Sequence, residues 1–161
     1  MKLHPILQKI SFSDKRLRKA VEIFSVYNLP ILFHSWFVSY YHGKEKKRRT
    51  KIWKDFWRRT INCRFPTGNI VGPAGDVEVN EVISKIPKYK NAFVDTSFQS
   101  PDKIRELVKA FGPERVLFAS DWPYGDRTIS IRNIKLVCNG THKMEQELCY
   151  QNAEKILGIN I

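Results

Sequence analysis

Phe118-Ala-Ser-Asp-Trp-Pro-Tyr-Gly125 places one carboxylate at the tip of an apolar run and then breaks the chain. Val116, Leu117, Phe118 and Ala119 read as a short buried strand, and Pro123 with Gly125 keeps that strand from continuing past Asp121. A carboxylate at the carboxyl end of a buried strand lies where parallel α/β folds carry their chemistry. Asp121 is therefore the first candidate for a chemical role; the plainer reading is an aspartate that caps a turn.

Working outward, Ala92-Phe-Val-Asp-Thr96 is a second strand candidate. Ser100-Pro101 then caps and opens a helix with Ile104, Leu107, Val108 and Phe111 on one face, and Gly112 ends it. Ile31-Leu-Phe-His34 suits a strand buried on both faces, with His34 at its carboxyl end. Before it, Leu17, Val21, Phe24 and Tyr27 recur at helical spacing behind Ser13 or Asp14 as N-cap. Asn69-Ile-Val-Gly72 is a further strand, followed by a helix through Val79, Val82, Ile83 and Ile86. After a strand over Val116–Ser120 come an amphipathic segment with Ile131, Ile134 and Cys138, and a helix through Leu148 and Ile156 that stops at Gly158. The regular alternation predicts an α/β fold with a parallel sheet, either open or part of a barrel.

At 161 residues and 42% hydrophobic, the chain has the size of one domain, 1–161. It holds no apolar run of about 18 residues that would cross a membrane, and no apolar core behind a basic head of the signal-peptide kind. A cytoplasmic protein is expected. Cys63, Cys138 and Cys149 form no C-x-x-C pair and are odd in number, which fits free thiols in a reducing compartment. The net charge of +12 is local: between Lys44 and Arg64, ten basic residues face only Glu45 and Asp55, leaving an ordinary excess elsewhere. This basic and aromatic stretch, within an insert over 37–66, interleaves Trp53, Phe56 and Trp57 with its charges. An amphipathic helix over the mouth of the fold is the plain reading. Binding an anionic partner is the other, since arginines beside stacking aromatics suit phosphates and unpaired bases. No nucleic-acid module accompanies the stretch, so nucleic acid is not the expected partner.

Several runs taken in order resemble the amidohydrolase-related metal-dependent hydrolases of the amidohydrolase superfamily. They are Lys2-Leu-His-Pro5, Leu29-Pro-Ile-Leu-Phe-His34, Arg64-Phe-Pro66 with Ile70-Val-Gly-Pro-Ala-Gly75, Val94-Asp-Thr-Ser97, Glu114 through Gly125, and Asn152-Ala153 with Leu157-Gly158. The resemblance implies a TIM-type (β/α)8 barrel whose divalent metal, expected to be zinc, sits at the carboxyl ends of the strands. His34 matches the family's strand 5 histidine, a metal ligand. Asp121 matches the strand 8 aspartate, which sits by the metal-bound water and accepts its proton, as metal ligand and general base. The implied reaction is hydrolysis of a C–N or C–O bond of a small-molecule substrate by metal-activated water. Decarboxylation is the alternative within the superfamily.

The sequence departs from the family at two places. Gly72-Pro73-Ala74-Gly75 stands where a strand 6 histidine is often found, and the resemblance begins at strand 4, without the His-x-His of strand 1. A barrel of this type takes about 250 residues, so the expectation is a partial barrel of about five strand–helix units of eight, incomplete at its start and weakly active or inactive alone. Three readings fit such a sheet: the C-terminal part of a longer protein, a barrel completed by a second copy or a second chain, or a remnant without activity. Trp122 and Tyr124 would overhang the mouth and pack on substrate, although large aromatics in such positions also cover core. His34 has a plain alternative as a core histidine. His4 and Lys2 read as a strand-end hydrogen-bonding pair, and Asp95 as a turn-capping aspartate. The other class of function is a non-catalytic scaffold that binds an anionic partner through Lys44–Arg64.

Overall fold

The computed structural model describes residues 1–4, 8, 10, 14–34, 69–72 and 76–159. The basic insert 37–66 with its Lys44–Arg64 patch, the Pro73-Ala-Gly75 half of the turn, Cys63 and His42 lie outside the described residues.

Five parallel strands pair in chain order: β1 (Lys2–Leu3), β2 (Ile31–His34), β3 (Asn69–Gly72), β4 (Ala92–Asp95) and β5 (Val116–Leu117). The helices between and after them are α1 (Lys15–Ser25), α2 (Asp76–Lys85), α3 (Pro101–Phe111), α4 (Arg127–Cys138), α5 (His142–Gln146) and α6 (Asn152–Leu157). A doubly wound sheet reverses its strand order at a switch point. This order never reverses, which is the winding of a TIM-type fold.

Side chains alternate along each strand, so the sheet has two distinct faces. Ile31, Phe33, Val94 and Val116 point to the face covered by helices, where Leu17 and Val21 of α1, Val79 and Val82 of α2, Ile104, Leu107 and Phe111 of α3, and Ile134 of α4 complete the core. Leu32, His34, Phe93, Asp95 and Leu117 point the other way. The register Phe33↔Val71↔Val94↔Val116 fixes this division, and the next residue along each strand belongs to the opposite face.

Local chemistry sets the helix ends. Asp14 accepts from the Arg16 N–H at the start of α1. Ser100 accepts from the Lys103 N–H with Pro101 in the first turn of α3, and Asp126 accepts from Thr128 and Ile129 at the start of α4. Each satisfies donors that a helix start leaves open. Gly112 ends α3 at φ 83°, and Gly158 ends α6 at φ 65°, conformations that glycine adopts without penalty.

Three details differ from the sequence expectation. β5 stops at Leu117 rather than Ser120, because the backbone beyond it finds other partners: the Phe118 N–H donates to the Leu148 carbonyl at 2.8 Å and the Ala119 N–H to Thr96 Oγ1 at 3.1 Å. Ile131 is exposed at 43%; α4 buries Ile134, Val137 and Cys138 instead. The final helix is not continuous but passes through a π-turn at Glu147–Gln151. The Leu148 carbonyl on the β5 edge lies in that turn. Asn152, one residue on, donates from Nδ2 to the carbonyls of Pro113 at 2.7 Å and Val116 at 2.9 Å. The C-terminal segment thus satisfies backbone groups on the side of β5 away from β4. Cys138 is buried, Cys149 is half-buried, and both are free thiols.

Candidate functional site

The carboxyl ends of the strands bring together residues far apart in sequence. His34 is the last residue of β2, and His4 follows β1 in the adjacent position, since Leu3 pairs with Phe33. Their rings stack with centroids 3.9 Å apart and planes 24° apart. His4, read from the sequence as half of a strand-end pair, is therefore a neighbour of the candidate ligand. Local sequence held little signal for it, because the contact depends on strand pairing across α1.

Asp95 ends β4 on the same face and is 8% exposed. Its Oδ1 accepts from the Ser97 N–H at 3.0 Å and from the Ser97 hydroxyl, so it does cap the turn as the sequence suggested. It is also a buried carboxyl. Burial and then the nearby Asp121 carboxylate push its pKa up from 3.8 to about 6, against the Ser97 hydrogen bonds and Lys2, which lower it.

Asp121 lies beyond the end of β5 at φ 55°, a left-handed conformation that aspartate tolerates better than most residues. Its carbonyl accepts from the N–H groups of Tyr124 at 2.9 Å and Gly125 at 3.2 Å, which closes a tight turn containing a cis Trp122–Pro123 bond. Gly125 is required here: a Cβ on it would stand 1.9 Å from the Ser120 carbonyl oxygen. The turn that sequence reading placed after Asp121 thus holds the acid at the rim. Asp121 acts electrostatically on both His4 and Asp95.

Both imidazoles are held neutral. Burial, then the neighbouring His4 and Lys2, lower the His34 pKa from 6.5 to about 4. Burial also lowers that of His4, with Lys2 adding to it and its own backbone hydrogen bond and Asp121 opposing. A neutral imidazole is the form that ligates a metal ion. Yet among the described residues no three His, Cys, Asp or Glu side chains converge closely enough to hold one. The chain's described residues therefore do not form a complete metal site by themselves.

Trp122 and Tyr124 are exposed at 61% and 79%, so they cover no core. The Arg127 guanidinium lies 4.5 Å from the centroid of the Trp122 ring, a cation–π arrangement at the same rim. No helix among the described residues is long and apolar enough to cross a membrane.

No curated protein sequence matches the chain. Among solved structures, 5-carboxyvanillate decarboxylase from Sphingomonas paucimobilis superposes with a TM-score of 0.69 at 15% identity, over 94% of this chain and 56% of that one. A dihydroxybenzoic acid decarboxylase from Polaromonas sp. JS666, with bound manganese and the inhibitor 2-nitroresorcinol, gives 0.61 at 13% identity over 92% and 55%. An amidohydrolase from Burkholderia multivorans with bound zinc gives 0.63 at 11% identity over 91% and 58%. At these identities the likeness is one of fold, and that fold is TIM-type. The chain spans a little over half the length of each of these structures. The model of the amidohydrolase family matches residues 1–159, from the strand before His4 to the helix that closes the β5 edge. With the match running through every described element, the chain belongs to the amidohydrolase family.

Proposed function

We propose that the chain supplies about five strand–helix units of an eight-unit amidohydrolase barrel, and that His34 and Asp121 are its share of a divalent-metal site completed by groups outside the described residues. The observation that carries this reading is the row at the carboxyl ends: His34 stacked on His4, with Asp95 and Asp121 within electrostatic reach. A barrel closed by a second copy or another chain would bring further ligands to that row. Zinc is the metal expected from the resemblance; the similar structures carry zinc in one case and manganese in another. Trp122 and Tyr124 would face a small-molecule substrate entering at the rim.

Hydrolysis of a C–N or C–O bond is the reaction proposed for the completed site. Decarboxylation is the second reading, favoured by the decarboxylases among the similar structures. Either reading gives a chain that binds metal poorly and turns over little when isolated. The test is elemental analysis of the purified chain beside its mass in solution, for wild type, His34→Ala and Asp121→Ala. Little metal on a monomer is the expected result, and one metal per dimer, lost in both variants, would identify a second copy as the completing partner. Stoichiometric metal on the monomer refutes the need for a partner, and metal retained in both variants refutes His34 and Asp121 as ligands.

A further inference from the structure

The amino-terminal ends of the strands, opposite His34 and Asp121, border a second concave site. A cavity of about 560 Å³ is lined there by Lys90 before β4, Glu114 and Arg115 before β5, and Lys155 on α6. Phe93 and Ile156 give it an apolar wall, and Asn152 also lines it. Three cations against one carboxylate leave the cavity net positive.

Arg115 is 8% exposed, and most of its guanidinium is committed to the fold. Nε donates to the Phe111 carbonyl at 2.8 Å, and Nη1 donates to the carbonyls of Pro87 and Tyr89, both at 3.0 Å. Nη2 makes no hydrogen bond among the described residues. Nη2 is not sealed from solvent, so this largely buried guanidinium keeps one charged donor that a ligand can reach. The Asn152 amide beside it is held by the fold and its Oδ1 is sealed from solvent. Its orientation is fixed because Nδ2 faces two carbonyl oxygens, and its buried Oδ1 has no donor.

We propose that this cavity binds a small organic carboxylate at a site separate from the candidate metal centre. A carboxylate oxygen pairs with Arg115 Nη2, the ammonium groups of Lys90 and Lys155 supply the remaining counter-charge, and an apolar body packs on Phe93 and Ile156. Glu114 stands 4.0 Å from Arg115 Nε and opposes a second negative charge, which favours a carboxylate over a phosphate. The two walls, one cationic and one apolar, match a molecule with a charged end and an oily end.

The test is calorimetric titration of the full chain with hexanoate and, separately, with inorganic phosphate. Lys90 and Lys155 are exposed, so Lys90→Gln and Lys155→Gln leave the core in place. Hexanoate binding should weaken about tenfold in each variant, in keeping with the loss of one charge-assisted contact, and should weaken as salt is raised. It should be unchanged in His34→Ala, which lies at the other end of the strands. No hexanoate binding, binding indifferent to both lysines, or binding lost in His34→Ala overturns the proposal. Phosphate bound as tightly as hexanoate, with the same dependence on the lysines, also overturns it, because the apolar wall then contributes nothing.

Discussion

Asp95→Asn should stabilise the chain at neutral pH, by an amount that depends on pH in a defined way. The folded pKa of Asp95 is about 6 against an ordinary 3.8, and its side chain is almost wholly buried. Between those two values the folded state holds a proton that the unfolded state has released, so stability falls as pH rises through that window. At about 1.36 kcal/mol per pKa unit, ionising Asp95 costs the folded state about 3 kcal/mol once the pH is above its folded pKa. Asparagine has the same shape, keeps an oxygen for the Ser97 N–H, and never ionises. Urea unfolding of wild type and variant across about pH 4 to 8 is the assay. The variant should match wild type at the acid end and lead by about 3 kcal/mol at pH 7, or about 6–12 °C in Tm for a chain of this size. His34 works in the same window with the opposite sign. Its folded pKa is about 4 against 6.5, so the unfolded chain takes up the proton first and stability is lost as pH falls from 6.5 toward 4. The ring is partly exposed, and solvent screening reduces its share to about 1–2 kcal/mol. Wild type should therefore show a shallow profile, and Asp95→Asn should unmask a rise in stability from acid to neutral pH. A variant that shifts by the same amount at every pH, or is destabilised at pH 7, refutes the buried-carboxyl account.

Arg115→Met should destabilise by about 3 kcal/mol or more, because it strips donors from the carbonyls of Phe111, Pro87 and Tyr89 while filling similar space; chemical denaturation measures it, and a loss under about 1 kcal/mol would mean that water replaces the guanidinium at little cost. Phe111→Ala removes a ring that is 1% exposed beneath the sheet and should cost about 3–5 kcal/mol by the same measurement, a large fraction of the roughly 5–15 kcal/mol of a typical domain. A cost near zero there would show that α3 does not pack as described.

What was legible in the sequence was local. Asp14, Ser100 and Gly112 announced helix ends because capping depends on residues within one turn, and Ile31–His34 announced a buried strand because its apolar run is continuous. What was not legible depended on partners distant in the chain. β5 could not be trimmed to Val116–Leu117 without knowing that Leu148 and Thr96 capture the next two N–H groups. His4 looked like a strand-end residue until pairing of β1 with β2 set its ring on His34. Asp95 was correctly placed as a turn cap, but its raised pKa comes from burial and from Asp121, neither of which is a property of the Val94-Asp-Thr-Ser97 segment. Ile131 was misassigned because a helical pattern of apolar residues fixes a face only to within about one position when the stripe is broad.

The two ends of the sheet differ in what their charged groups do for the fold, and the difference bears on where chemistry belongs. At the amino ends Arg115 ties together the carbonyls of Phe111 in α3, of Pro87 and Tyr89 in the loop before β4, and of Ala92 in β4, so most of its donors serve to hold β4, α3 and β5 in place. At the carboxyl ends the ionisable groups are held away from their usual charge balance: Asp95 is buried with a carboxylate neighbour, and the half-buried His34 lies against a second imidazole near Lys2. Packing alone would favour apolar side chains at both positions, since Asp95 costs stability once ionised above about pH 6 and His34 does so as pH falls below 6.5. Displaced titratable groups gathered at the carboxyl ends of the strands support the proposal that His34 belongs to a functional site there.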